Sequence, residues 1–489
     1  MADLHLVVDR AAGGIAGQIA RELREAVRSG RLVPGVRLPA TRDLARDLGL
    51  SRGVVVEAYE QLVAEGLLES KTGAGTRVAA RVMAGSTAGV TAGAGRQAAS
   101  ERPGDRREDG WPHYDHRPTS PDLGLFPRQA WLAAVRHVLA TLPNAGLDYG
   151  DPGGVPVLRR ELAAYLGRVR AADASPDDLV IMTGVAQGIS LVVEALVRDR
   201  GRRIVLAVED PTSTRMLPLL HRAGADIVPV PVDPEGIVVG ALPYDADAVM
   251  VTPAHQYPTG VVLSPARRAA LVEWAARTGA LVLEDDYDAE FRFDRDPVGC
   301  LQGLAPDRVV LAGSVSKALA PGLRLGWIAA PPRIARAVRL ARGESDLGSP
   351  VIDQYVFAHL IECGTYDRHL RRVRREYRRR RDALVGALAE HLPRMTVRGI
   401  SAGLHLYAEM NAEVNAEVNA EVNAEMNAGD GGDPSGLAEA ARAAGLSAEV
   451  VTSAHGSPGL VIGFARLPAH RVAEAVRVLA KNAGGDVRG

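Results

Sequence analysis

A chain of 489 residues, 47% hydrophobic and 24% charged, has material for two or three globular cores and is no disordered polyelectrolyte. A formal net charge of −1 excludes a polycation that binds nucleic acid by bulk attraction, and residues 1–80 repeat the balance with 11 Lys/Arg against 10 Asp/Glu. Two cysteines, Cys300 and Cys363, make neither a disulfide framework nor a metal cluster; with no run of eighteen apolar residues and no basic-then-apolar leader, the expectation is a cytoplasmic protein without metal or membrane partner.

In chain order, Ile15, Ile19, Leu23, Ala26 and Val27 recur at helical spacing across residues 13–30, and Gly30 ends the pattern. Leu38-Pro39-Ala40-Thr41 turns into a second helix, with Thr41 as its N-cap, which runs through Leu44 and Leu48 to Gly49. Ser51 caps a third helix carrying Val55, Ala58, Tyr59, Leu62 and Val63, stopped by Gly66. Leu67–Ser70 and Thr76–Ala79 read as short strands around Lys71-Thr72-Gly73-Ala74-Gly75. Three short helices and a hairpin make a winged helix-turn-helix. By pattern alone, a small helical bundle that binds a protein fits too.

The stretch GRLVPGVRLPATRDLARDLGLSRGVVVEAYEQLVAEGLLESKTGAGTRV decides between them. Residues 13–79 resemble the DNA-binding domain of the GntR family of bacterial regulators. The resemblance implies that Arg42 touches the DNA backbone and that Ser51 and Arg52 open a recognition helix in the major groove, where Arg52 pairs with a guanine. It places Thr72 and Gly73 at the wing tip. Gly53-Val54 stand where many relatives carry hydroxyl or amide residues, so base preference is expected to differ.

Residues 80–112 are rich in Ala, Gly, Ser and Arg without periodicity and read as a flexible linker. A coil of about 33 residues spans roughly 30 Å, enough to let the first domain (1–79) rest on a partner subunit. From 113 to 489 short apolar runs (Val180–Met182, Ile204–Ala207, Val249–Val251, Leu281–Leu283, Val309–Leu311) alternate with helical stretches such as 186–198 and 265–278. The expected fold class is α/β: a mostly parallel sheet followed by a small C-terminal α+β lobe. Residues 411–427, NAEVNAEVNAEVNAEMN, stack like charges at i, i+4 on any helix and read as a low-complexity surface insert.

Only three of the 58 basic residues are lysines: Lys71, Lys317 and Lys481. Guanidinium cannot condense with an aldehyde, whereas a lysine of lowered pKa can. Lys317 stands in Ser314-Val315-Ser316-Lys317, ahead of Gly322-Leu323-Arg324, and suggests a Schiff base with pyridoxal phosphate (PLP). Leu281–Leu283 runs into Glu284-Asp285-Asp286-Tyr287-Asp288; either Asp285 or Asp286 suits a pyridine nitrogen, and a helix N-cap cluster is the plainer alternative. Thr183-Gly184-Val185-Ala186-Gln187 opens a helix whose free N–H groups suit a phosphate, as do Ser314, Ser316 and Arg324.

Residues 115–480 resemble the aspartate-aminotransferase superfamily of type I PLP proteins. The resemblance implies Lys317 as the Schiff-base lysine, Asp285 on the pyridine nitrogen and Tyr287 on the ring phenolate. It puts Ser314, Ser316, Arg324, Val185, Ala186 and Gln187 around the phosphate, and Tyr149 on the phosphate of a neighbouring subunit in a homodimer. Departures accompany it. Tyr257-Pro258-Thr259-Gly260 replaces Asn-Pro-Thr-Gly beside the ring, Thr212-Ser213 replaces Gly-Tyr after Asp210-Pro211, and Leu460-Val461-Ile462 stands where a carboxylate-holding arginine is due. Arg215 is the candidate clamp for an effector carboxylate. Both halves together, with HQYPTG, EDDYDAEF and RHLRRVRREYRRRRDAL, resemble the MocR subfamily of GntR-family regulators. The resemblance implies a PLP-dependent transcriptional regulator that binds double-stranded promoter DNA as a homodimer. Its aminotransferase-like domain would sense PLP or an amino-group effector through an aldimine. A working aminotransferase with a tethered DNA-binding domain is the alternative.

Overall fold

The computed structural model describes residues 8–9, 14–28, 31–71, 75–79, 117–293, 298–393, 395–410, 434–451 and 459–482. Thr72, Gly73, the 80–112 linker and the 411–427 repeat lie outside the described residues.

The N-terminal part consists of α1 (Ile15–Arg28), α2 (Thr41–Asp47), α3 (Arg52–Ala64) and a hairpin of β1 (Leu68–Lys71) and β2 (Gly75–Val78). Ile19, Leu23, Leu44, Val55, Tyr59 and Leu62 meet in one core, and the Tyr59 hydroxyl donates to the Pro39 carbonyl at 3.0 Å. Arg24 and Glu65, both buried, pair there at 2.8 Å. Thr41 is the first residue of α2 rather than its cap. Ala40 holds the extended N-cap position, and Thr41 Oγ1 accepts instead from Arg52 Nε at 3.4 Å. Ser51 does stand at the N-cap of α3, though without a side-chain capping bond.

The remainder runs α4 (Arg128–Thr141), α5 (Pro156–Arg170), β3 (Leu179–Met182), α6 (Val185–Arg200), β4 (Ile204–Asp210), α7 (Leu217–Arg222), β5 (Ala225–Asp233), β6 (Gly236–Ile237) and β7 (Ala248–Val251). Next come α8 (Pro265–Thr278), β8 (Leu281–Asp285), β9 (Val309–Ser314), β10 (Gly326–Ala329), α9 (Pro332–Ser345), α10 (Val351–Glu362) and α11 (Thr365–His391). Strands β3 to β10 form one sheet in the order β3-β10-β9-β8-β7-β4-β5-β6. β10 is antiparallel to both neighbours and β6 to β5; the other pairs are parallel. The mostly parallel α/β sheet expected from the apolar runs is therefore present. Three strands escape that pattern: β5 carries Pro229 and Pro231, which are tolerated near a sheet edge, β6 is only two residues long, and β10 reads Gly-Trp-Ile-Ala directly after the Lys317 motif.

Alternation along the strands splits the core in two. Leu281 and Leu283 of β8 face one apolar layer with Val180, Met182, Val310 and Ala312, while Val282 faces another with Val249, Leu271 and Trp274. The C-terminal lobe is a four-stranded sheet of β11 (Met395–Arg398), β12 (His405–Met410), β13 (Ser447–Val451) and β14 (Gly459–Gly463), ordered β11-β12-β14-β13, with α12 (Pro434–Ala443) and α13 (Ala469–Asn482). In the single chain the winged-helix part rests on its own large domain. Leu304 packs against the helical core, a Cβ on Gly66 would meet the Pro265 carbonyl oxygen at 2.8 Å, and Gly299 leaves no room for one beside the Glu65 carboxylate. No described helix is long and apolar enough to cross a membrane.

Candidate cofactor and effector site

Parallel strands bring their carboxyl ends to one edge of a sheet, and polar residues that follow buried strands collect there. The ends of β3, β4, β7, β8 and β9 deliver Thr183-Gly184, Glu209, Thr252, Asp285 and Ser314 to that edge, and the turn after β9 carries Lys317. Lys317 Nζ donates to Thr119 Oγ1 at 3.0 Å. Burial lowers the Lys317 pKa to about 8; the cations Arg117 and Arg215 push the same way, against Asp288 and Asp285. A lysine so placed gives up its proton far more readily than a surface lysine, which is what a nucleophilic amine needs.

The phosphate-side candidates converge at the start of α6. Gly184, the N-cap residue, has φ 133°, and a Cβ there would meet Arg324 Nη2 at 2.8 Å. Arg324 itself takes the left-handed conformation, φ 48°. Its guanidinium thus lies beside a helix N-terminus, where the N–H groups of Val185, Ala186 and Gln187 have no carbonyl of their own helix to pair with. Ser314 Oγ accepts from the Ser316 N–H at 3.3 Å. The Gln187 side chain is committed elsewhere: its Oε1 accepts from Thr183 N and Oγ1 and from Arg342, and its Nε2 donates to Asp346 at 3.0 Å. Only its backbone N–H remains for a ligand.

β8 ends at Asp285 and no helix follows, so the carboxylates after it are not an N-cap cluster. Asp286 is claimed by Arg170, with two bonds of 2.8 Å to its two oxygens. Asp285 Oδ1 is shut off from solvent without a hydrogen-bond partner, and burial, with Asp286 adding to it, pushes that carboxyl up to about 7. Tyr287 Oη lies 3.0 Å from His255 Nδ1, which lies 3.0 Å from Asp288 Oδ2. With the proton on Nδ1, both oxygens accept from it and the phenol O–H stays available to a ligand. His255, Asp288 and His405 hold their polar atoms within 4.8 Å of one another; a hydrogen bond joins His255 to Asp288, while His405 Nε2 meets the Pro258 carbonyl at 3.2 Å and its Nδ1 is buried without a hydrogen-bond partner.

Across from this floor stand residues of other segments. Tyr257 packs edge-on to Tyr287, ring centroids 6.2 Å apart, and donates its O–H to Glu449 Oε1. Arg215 Nη2 meets the other oxygen of Glu449 at 3.3 Å. Tyr149 is 85% exposed in the single chain. On the winged helix, Arg42, Ser51 and Arg52 are exposed at the N-terminal ends of α2 and α3. Arg37 and Arg77 stand at the root of the wing, bridged strand to strand.

Residues 15–78 match the family of bacterial regulatory proteins called gntR, and residues 121–476 match the class I and II aminotransferases. Among curated proteins the chain is 35% identical to the HTH-type pyridoxine biosynthesis transcriptional regulator PdxR of Corynebacterium glutamicum, covering 80% of this chain and 82% of that one. It is 31% identical to the probable rhizopine catabolism regulatory protein MocR of Rhizobium meliloti, over 82% of this chain and 83% of the other. The chain belongs to the MocR-type GntR regulators. Among solved structures, an archaeal alanine:glyoxylate aminotransferase superposes with a TM-score of 0.64 at 26% identity, covering 76% of this chain and 90% of that chain.

The aminotransferase fold family binds PLP. The residues here fit that group. Asp285 offers an orphaned buried oxygen, Gly184 and Arg324 form a cradle that a side chain would fill, and Lys317 has a lowered pKa. Sequence reasoning about this MocR-type chain overlooked Thr119, Arg117, His255 and Glu449, and named Asp288 without a role. His255 was within reach, because it lies in the quoted HQYPTG. Glu449 and Thr119 carry no local signal; only the tertiary fold brings Thr119 to Lys317 and Glu449 to Tyr257 and Arg215.

Proposed function

We propose that the chain is a PLP-dependent transcriptional regulator whose aminotransferase-like domain senses PLP or a small amino-group compound and alters promoter binding. The observation that carries this is the joining of a lysine of lowered pKa, beside a phosphate cradle, to a winged helix with exposed Arg42 and Arg52. Lys317 would hold the cofactor covalently and Asp285 the pyridine nitrogen. Tyr287 and Tyr257 would lie beside the ring oxygen, and Ser314, Ser316, Arg324 and the N–H groups of Val185, Ala186 and Gln187 would take the phosphate. Bound PLP supplies an aldehyde carbon that primary amines attack. Asp285, ionised by a pyridinium, would gain the partner it lacks.

The proposed domains are 1–79 for DNA, 80–112 as linker and 113–489 for cofactor and dimerisation. Exposed Tyr149, Leu139 and Leu147 suit a homodimer in a cytoplasmic protein. The surface by Pro265 and Gly299 could receive either the chain's own winged helix or, by domain swapping, the partner's. An effector acts only by binding two such arrangements with different affinity.

Two measurements test the reading. The purified chain with PLP should develop a visible absorption band that borohydride bleaches while fixing the cofactor onto Lys317; no band rejects the cofactor. It should also retard DNA from its own upstream region in a gel shift, and Arg52→Ala should weaken that by about 1–3 kcal/mol; unchanged affinity removes Arg52 from base reading. The complete Lys317–Asp285–Arg324 set favours one alternative, a working aminotransferase, and repeated turnovers of keto acid from any amino acid would establish it.

A further inference from the structure

An amino acid reaching a lysine-bound aldehyde needs a cation or hydroxyl for its carboxylate. Arg215 and Tyr257 are the donors placed for it. Arg215 is close enough to Lys317 to lower its pKa, and Tyr257 packs on Tyr287. Both already serve one carboxylate of the chain itself: Glu449, on β13 of the C-terminal lobe, takes the Tyr257 O–H on Oε1 and Arg215 Nη2 at 3.3 Å on Oε2. The adjacent strand β14 presents Leu460-Val461-Ile462, buried and apolar, and offers no replacement cation. Arg117 also acts on Lys317 and on Tyr257, and like Arg215 it already has an interaction within the chain.

We propose that Glu449 is a built-in carboxylate that occupies the effector-carboxylate subsite, so that the chamber around Lys317 takes amines without an α-carboxylate in preference to amino acids. An entering carboxylate would have to displace Glu449 from Arg215 and Tyr257 and would then lie beside that second negative charge, which like-charge repulsion disfavours. An amine with a neutral or cationic tail meets no such competition and leaves the Arg215–Glu449–Tyr257 bridge intact. This rests on the cofactor reading above, and it assigns a specificity-determining role to a residue far from Lys317 in sequence.

The test separates the two ideas. PLP loading is first established by absorbance in the wild type and in Glu449→Gln; failure to load in both rejects the cofactor reading and not this one. The loaded proteins are then titrated with matched pairs, phenethylamine against L-phenylalanine and ethylamine against L-alanine, following the cofactor spectrum. The wild type should bind the amine at least tenfold more tightly at equal free-base concentration. Glu449→Gln should narrow or reverse that ratio, and Arg215→Gln/Glu449→Gln should lose the gain. Independently of cofactor, succinate should raise the melting temperature of the unloaded Glu449→Gln chain and leave the wild type unmoved. A wild type that prefers the amino acid overturns the proposal, as does a ratio unchanged in both Glu449→Gln and Glu449→Ala.

Discussion

The two sides of the chamber around Lys317 are assembled differently. The cofactor side is made by the ends of adjacent strands of one sheet: β3 leads to Gly184, β8 to Asp285, β9 to Ser314 and Lys317. The effector side draws Thr119, Arg215, Tyr257 and Glu449 from four segments, the last from a separate sheet. A sheet edge keeps its geometry whatever ligand arrives. A set spread over two lobes changes whenever the lobes shift. The cofactor side therefore suits permanent holding, and the effector side suits discrimination and response.

The largest expected effect comes from removing the nucleophile on the fixed side. Lys317→Ala should abolish the borohydride-reducible visible band altogether, because Lys71 lies far along the chain in the wing and Lys481 in α13. Phosphate-dependent, non-covalent PLP binding should survive, since Arg324 and the α6 N-terminus remain. If covalent capture persists in Lys317→Ala, the fixed side is not where the aldehyde is held.

Next in size is Asp285→Asn. A carboxyl whose folded pKa is raised from 3.8 to about 7 binds a proton in the folded chain that the unfolded chain has released. Its contribution to stability is thus present at low pH and lost as pH rises toward 7. At pH 8 the unloaded variant should be more stable than the wild type, because the buried carboxylate is ionised there and the amide is not. At pH 4 the difference should vanish. PLP should stabilise the wild type more than the variant, as seen by thermal denaturation. An unloaded variant less stable at pH 8 would mean that Asp285 has a structural partner instead of awaiting a ligand.

The same contrast explains what could be read before any coordinates. Lys317, Asp285, Tyr287 and Arg324 lie in short contiguous motifs at strand ends, so spacing and strand prediction together located them. Asp285 could be chosen over Asp286 only by resemblance, because the partner that claims Asp286, Arg170, comes from α5, 116 residues earlier in sequence. Glu449 was invisible because β13, Ser-Ala-Glu-Val-Val, carries no motif; its meaning comes from the lobe packing that sets it against Arg215. The helices and hairpin of the winged helix were legible since their core is local, Ile19 to Val78, while Thr41 changed role for a local reason, the approach of Arg52.

The smallest effect concerns pH and joins the two sides. A Lys317 amine of pKa about 8 is about one-tenth free base at pH 7 and about nine-tenths at pH 9, so the rate of covalent PLP loading should rise about tenfold between them and then level off. Burial is the main cause of the lowered value, and the Arg215 charge is a lesser one. Arg215→Gln removes that lesser push and should move the midpoint of the loading curve upward, leaving the plateau unchanged. Glu449→Gln should move it the other way, because it exposes Lys317 to an Arg215 charge no longer countered by a carboxylate. Opposite shifts in the two variants would show that the effector side sets the reactivity of a lysine it does not touch. Equal midpoints in both would confine control of Lys317 to burial and the sheet edge, and would reduce Arg215 and Glu449 to a recognition role.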